Sequence, residues 1–151
     1  MDSNIWISLI VVILTTVSAI LLYRYLTGEY PASKVIITDP PIEHNGLEPQ
    51  QARFLFFYTT WCPWSKKAWN PWNSFKLLVK NNNQTYGGHK IMFEEVNAEA
   101  DKGKSALYKI KAYPTFLVET GEQVSTFEGV PDPLTFDAFL TSALGKKETS
   151  H

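Results

Sequence analysis

The chain has 151 residues, 44 % of them apolar, and a formal net charge of −1. That length accommodates one domain with accessories, and the even charge balance, with no basic tract, excludes a nucleic-acid partner held by charge. A single cysteine excludes an internal disulfide; it fits a reducing compartment without requiring one.

Residues 5–26 contain no acidic residue and one charge, Arg24. At the helical rise they make about 33 Å of helix, enough to cross a hydrocarbon core. The expectation is a transmembrane anchor over 5–26, with membrane lipid as its partner. A cleaved signal peptide is the rival, with Val17-Ser18-Ala19 as its cleavage site. Against it, no basic residue precedes the apolar run, and the run continues through Ile20-Leu21-Leu22. Arg24 and Lys34 follow the segment and no Lys or Arg precedes it. The positive-inside tendency therefore puts the main domain in the cytosol or, in a virus, the virion interior.

Residues 27–50 hold Pro31, Pro40, Pro41, Pro49, Gly28 and Gly46 and read as a linker, with one short strand at 34–38. Residues 53–58 are a continuous apolar and aromatic run, as in a buried central strand. Pro63 suits the first turn of a helix. Ala68, Trp72, Phe75 and Val79 recur at helical spacing, with Lys66, Lys67, Lys76 and Lys80 among the polar positions. Residues 81–89 read as a loop, 90–96 as a strand and 104–110 as a short helix. Strands at 115–118 and 124–127 flank Gly121-Glu122, a hairpin signal. A final helix spans 134–144, and 146–151 is a polar tail. The order β-α-β-α-β-β-α over a domain at 51–145 predicts an α/β fold.

Trp61-Cys62-Pro63-Trp64-Ser65 directly after the first core strand, Tyr113-Pro114-Thr115 just before the hairpin, and Gly129 after the last strand resemble the thioredoxin superfamily. Tyr-Pro-Thr is most similar to protein disulfide isomerase domains and Cys-Pro-aromatic to glutaredoxins; tethered single-domain members also occur in large DNA viruses. The resemblance implies a mixed four- to five-stranded sheet with helices on both faces, here preceded by one transmembrane helix. It also implies a cis Tyr113–Pro114 bond beside Cys62 and a Tyr113 backbone that pairs with an extended substrate. The chain departs from the pattern in three places. Ser65 stands where the second motif cysteine would be. Phe56 replaces the buried acid that, by the resemblance, takes the second thiol's proton. Pro71 lies one residue later than usual, so the helix either bulges there or starts differently.

A lone cysteine is most often a buried apolar filler. At a helix start, however, free backbone N–H groups and the dipole stabilise a thiolate. Pro63 has no N–H, so Trp64 and Ser65 are the expected donors, with the Ser65 hydroxyl as another. Cys62 and Ser65 are thus the candidate catalytic pair. A thiolate at Cys62 can form a mixed disulfide, but Ser65 cannot resolve it, so release falls to a client thiol or to glutathione. Trp72 is expected in the core. Trp61 and Trp64, with Tyr113 and Pro114, are candidate substrate-binding residues, Trp64 being read either as rim or as core. His44, His89 and His151 show no metal spacing and read as surface residues. An iron–sulfur cluster held with glutathione, as in some single-thiol glutaredoxins, goes with Cys-Gly-x-Ser, and Pro63 argues against it. No resident cofactor is expected, with glutathione a candidate co-substrate. Asn83-Gln84-Thr85 is a glycosylation acceptor if the domain is lumenal. Three functions remain open: a tethered single-thiol oxidoreductase or isomerase acting on thiol-containing clients, a non-catalytic binding module at a membrane, and a dimer joined through Cys62.

Overall fold

The computed structural model of the chain describes residues 3–27, 37–42 and 45–149. It divides into two units, residues 1–35 and 36–151. In the first, the predicted anchor forms α1 (Ser3–Thr27). Its Thr15 and Thr16 hydroxyls donate back to the Val12 carbonyl at 2.9 and 3.0 Å. The side chains described, at Trp6 and over 8–22, are all exposed. Among the described residues no helix is long and apolar enough to cross a membrane. The expected transmembrane helix over 5–26 is corrected accordingly.

The second unit is built on β2 (Gln51–Tyr58), whose residues 52 and 54–57 are all buried. Both faces of this strand are covered, which is why it reads as a run and not as an alternation. It pairs in parallel with β4 (His89–Asn97), Phe56 opposite Glu95. On its other edge it pairs antiparallel with β5 (Thr115–Glu119), Phe56 opposite Phe116. The hairpin continues into β6 (Val124–Thr126), and β6 pairs with β1 (Ile37–Asp39). The short strand expected at 34–38 is therefore centred later, and its first residues lie outside the described ones.

Two further strands were not expected. β3 (Gln84–Tyr86), within the predicted loop, pairs with β4 and with β7 (Lys147–Thr149), within the predicted polar tail. The sheet thus has seven strands, ordered β1-β6-β5-β2-β4-β3-β7, where four or five were expected. Three-residue strands are too short to show a periodicity. Their position depends on Gly87, at φ +55, where a Cβ would collide with the Leu144 carbonyl oxygen. The Gly87 N–H donates to Lys146 O at 2.9 Å.

The helices are α2 (Pro63–Asn81), α3 (Lys102–Leu107) and α4 (Pro133–Leu144). α2 starts at Pro63 and runs through Pro71 without interruption. It buries Ala68, Trp72, Phe75 and Val79, the predicted stripe. With α4 it covers an aromatic core: Phe54 lies 5.0 Å from Trp72 and 5.4 Å from Phe136 between ring centroids. The other face carries a smaller core of Leu55, Phe57, Val96, Leu117 and Val124. There Lys104 of α3 pairs with Glu94, while Arg53 pairs with buried Glu119 at 2.7 Å.

Candidate functional site

The site forms where β2 ends and α2 begins. Cys62 is in extended backbone (φ −74, ψ 118) at the helix cap, and its carbonyl accepts the first helical hydrogen bond, from Lys66 N–H at 3.2 Å. Pro63 occupies the first turn, where a missing N–H costs nothing. The loop leading to Cys62 is tied down by Glu99, whose carboxylate accepts from the Thr60 N–H at 2.7 Å and the Thr60 hydroxyl at 2.6 Å. These bonds hold the Glu99 carboxyl below the usual carboxylate range.

Cys62 is 6 % exposed. Its thiol donates to the Tyr113 carbonyl at 3.4 Å. The backbone N–H of Ser65 holds its pKa below the ordinary thiol value; burial opposes this, and the Ser65 hydroxyl and Trp64 N–H add to it. Ser65 is fully buried, and its Oγ accepts from the Thr59 N–H at 3.4 Å. The later position of Pro71 has not displaced the start of α2, which follows Cys62 directly.

Tyr113 and Pro114 stand beside this pair and are joined by a cis peptide bond. They and Trp64 line a cleft of about 390 Å³ together with Lys67, Val130 and Pro131. Trp61 and Trp64 are 65 % and 66 % exposed, so Trp64 stands at the rim and not in the core. Trp72 is fully buried, and its Nε1 donates to Glu95 at 2.7 Å. The 129–131 loop and Lys67 escaped the sequence reading as parts of one site. In the sequence Gly129 stands out by its place after the last strand, and Lys67, with Lys66, reads as a polar helix position whose charge reaches Cys62 only as a weak, screened field.

Phe56 is fully buried and stacks on Phe116 at 4.7 Å. The carboxylate nearest in register is Glu95, on the adjacent strand. Burial pushes Glu95 up, but hydrogen bonds from Lys76 (2.5 Å) and Trp72 outweigh it and hold the carboxyl below the usual range. Glu95 is thereby engaged by Lys76 and Trp72. Asn83 is exposed in the turn before β3, at φ 45. His89 is half-buried, with Nδ1 3.3 Å from Tyr86 O; His44 and His151 lie outside the described residues. Among the described residues no three His, Cys, Asp or Glu side chains converge to hold a metal ion.

A family model described as Thioredoxin matches residues 43–142. Protein disulfide-isomerase 5-1 of Arabidopsis thaliana is 26 % identical over 129 residues, covering 84 % of each chain. Human ERp44 superposes with a TM-score of 0.53 at 14 % identity, over 62 % of this chain and 28 % of that one. The first thioredoxin domain of mouse Protein disulfide-isomerase A4 does so with a TM-score of 0.53 at 17 % identity, over 62 % of this chain and 64 % of its own. This chain spans less than two thirds of either solved chain, and at these identities the likeness is one of fold.

Proposed function

We propose that this chain, which belongs to the thioredoxin family, works as a single-thiol exchange protein whose Cys62 forms mixed disulfides by attacking client disulfides. Thiol–disulfide exchange is the activity in keeping with its protein disulfide isomerase relative. The observation that carries the single-thiol reading is that a buried hydroxyl, Ser65, stands three residues after Cys62, where the family resemblance puts a resolving thiol. The Cys62 thiolate attacks one sulfur of a client disulfide. A new S–S bond forms, the old one breaks, and the departing thiolate takes a proton from water. Ser65 has no sulfur with which to attack, so the mixed disulfide lasts until a second client thiol or glutathione displaces Cys62. When a client thiol does so, the client's bonds are rearranged with no net oxidation.

Two features support this reading. The donors around Cys62 favour its thiolate, and Phe56 leaves no carboxylate to serve a second thiol. The 6 % exposure of Cys62 favours a second reading, a binding module on which the thiol is inert. Exchange with a glutathionylated peptide and turnover of insulin separate these functions. The expected result is measurable exchange with near-zero insulin reduction in the presence of thioredoxin reductase. Robust insulin reduction overturns the single-thiol reading. Absence of exchange, with a Cys62 pKa at or above about 8.5, assigns the binding module.

A further inference from the structure

We propose that the cleft beside Cys62 selects client segments that set a carboxylate next to an apolar side chain, with Lys67 reading the carboxylate. This deepens the single-thiol function above and rests on it. The cleft holds about 390 Å³, and Trp64, Tyr113, Pro114, Phe116 and Val130 give it apolar walls. Burial against such walls attracts apolar side chains without discriminating among them. Lys67 is the only charged residue in the lining. Its ammonium stands 4.7 Å from the centre of the Trp64 ring. The ring attracts and localises a cation but does not neutralise it. Among the described residues Lys67 makes no ion pair.

The acids close in sequence to the cleft leave this charge unanswered. Asp132 is engaged at the start of α4, where its Oδ1 accepts from the Leu134 N–H at 2.9 Å. Glu128, between two lining residues, is not part of the lining. A client carboxylate arriving beside Trp64 completes an ion pair with Lys67 at the exposed rim of the cleft. Such a pair adds more to selection and capture rate than to total affinity.

The test uses peptides whose single cysteine is disulfide-linked to 5-thio-2-nitrobenzoate, with leucine beside the cysteine and then glutamate, glutamine or lysine. The Cys62 thiolate attacks the peptide sulfur and the nitrothiobenzoate leaves as a coloured thiolate, one S–S bond replacing another. At low salt the glutamate peptide is captured about fivefold faster than the lysine peptide, an advantage that salt screens. Lys67→Glu reverses that order, whereas Lys66→Glu, the same charge change on an exposed neighbour outside the lining, keeps it. Equal capture of the three peptides, or an equal reversal by Lys66→Glu, overturns the proposal. So does capture from glutathione disulfide that outpaces the glutamate peptide, which would assign the cleft to glutathione. If even the glutamine peptide fails to react, the single-thiol reading has failed. The preference is then decided by the affinity of the reduced peptides for the Cys62→Ala chain: glutamate above lysine supports it, and equal affinities overturn it.

Discussion

The two faces of the sheet are built from the same strands and solve burial differently. Under α2 and α4 the core is made of rings: Phe54, Phe56, Phe116, Trp72, Phe75 and Phe136 contact one another in tilted, edge-on and stacked pairs. One residue along each strand, the opposite face carries Arg53 and Glu119 in direct register. Glu119 is fully buried and also accepts from the Tyr108 hydroxyl at 2.6 Å. Burial and that carboxylate push the Tyr108 phenol well above its ordinary value. Buried charge lies on the far face, while on the face that carries Cys62 the acid in register with Phe56, Glu95, is engaged by Lys76 and Trp72. The lowered pKa of Cys62 is set by backbone N–H groups and one hydroxyl, against burial.

Breaking each face gives the largest expected effects. Phe54→Ala should cost about 4 kcal/mol, read by urea unfolding, because a ring is removed from the middle of the aromatic cluster. Glu119→Ala should cost about 3 kcal/mol. It removes the buried partner of Arg53, whose remaining ion pair is with Glu94 at 3.4 Å, and the acceptor of the Tyr108 hydroxyl. Arg53→Met with Glu119→Leu should recover most of the loss. If the double variant is no more stable than Glu119→Ala, the far face depends on the pair itself and the contrast between the faces fails.

The next effect bears on the missing acid. Ser65→Cys places a second, buried thiol next to Cys62, close enough for intramolecular attack. An internal disulfide should form, with slow release of substrate, since no carboxylate stands at Phe56 to accept the new thiol's proton. Phe56→Asp added to Ser65→Cys should speed release, at a cost of a few kcal/mol for burying the acid. Single-turnover release from a preformed mixed disulfide measures both. Release from Ser65→Cys alone as fast as that of an ordinary dithiol thioredoxin would show that the acid is dispensable.

A smaller change is expected from Ser65→Ala. The Cys62 pKa is lowered, so alkylation by iodoacetamide should have its midpoint below that of the unfolded chain. Losing the hydroxyl should raise the midpoint and slow alkylation at pH 7 by about threefold. In stability terms, a folded pKa below the unfolded one means that the thiolate's contribution is present above the unfolded value. It is lost as pH falls through the folded value. An unchanged midpoint in Ser65→Ala would leave the backbone donors alone responsible. The smallest effect belongs to the exposed turn at Asn83. Asn83→Gln should change stability by less than about 0.5 kcal/mol. In a chain directed to the secretory pathway, it should abolish a glycosidase-sensitive gel shift.

The central strand, the α2 stripe and the Cys62–Ser65 pair were legible because each is local. A continuous apolar run, a 3.6-residue spacing and a proline after a cysteine are written in consecutive residues. The membrane expectation at 5–26 rested on the same kind of local pattern and was corrected, because a count of apolar residues does not by itself establish a spanning helix. The edge strands β3 and β7 were missed because three residues carry no period. Their pairing is decided by the close approach at Gly87, which brings residue 147 against residue 86.

What the sequence by itself determined is the chemistry available: one thiol, no resolving partner, and aromatic residues on either side of it. Which residues meet that thiol was decided by the tertiary structure. The pairing of β2 with β5 holds the Tyr113–Pro114 segment against the start of α2, so residues 51 positions apart come within 3.4 Å. The same packing brings Val130 and Lys67 to one cleft. Neither residue is marked in sequence, because the signal that joins them is a distance through space that no local period encodes.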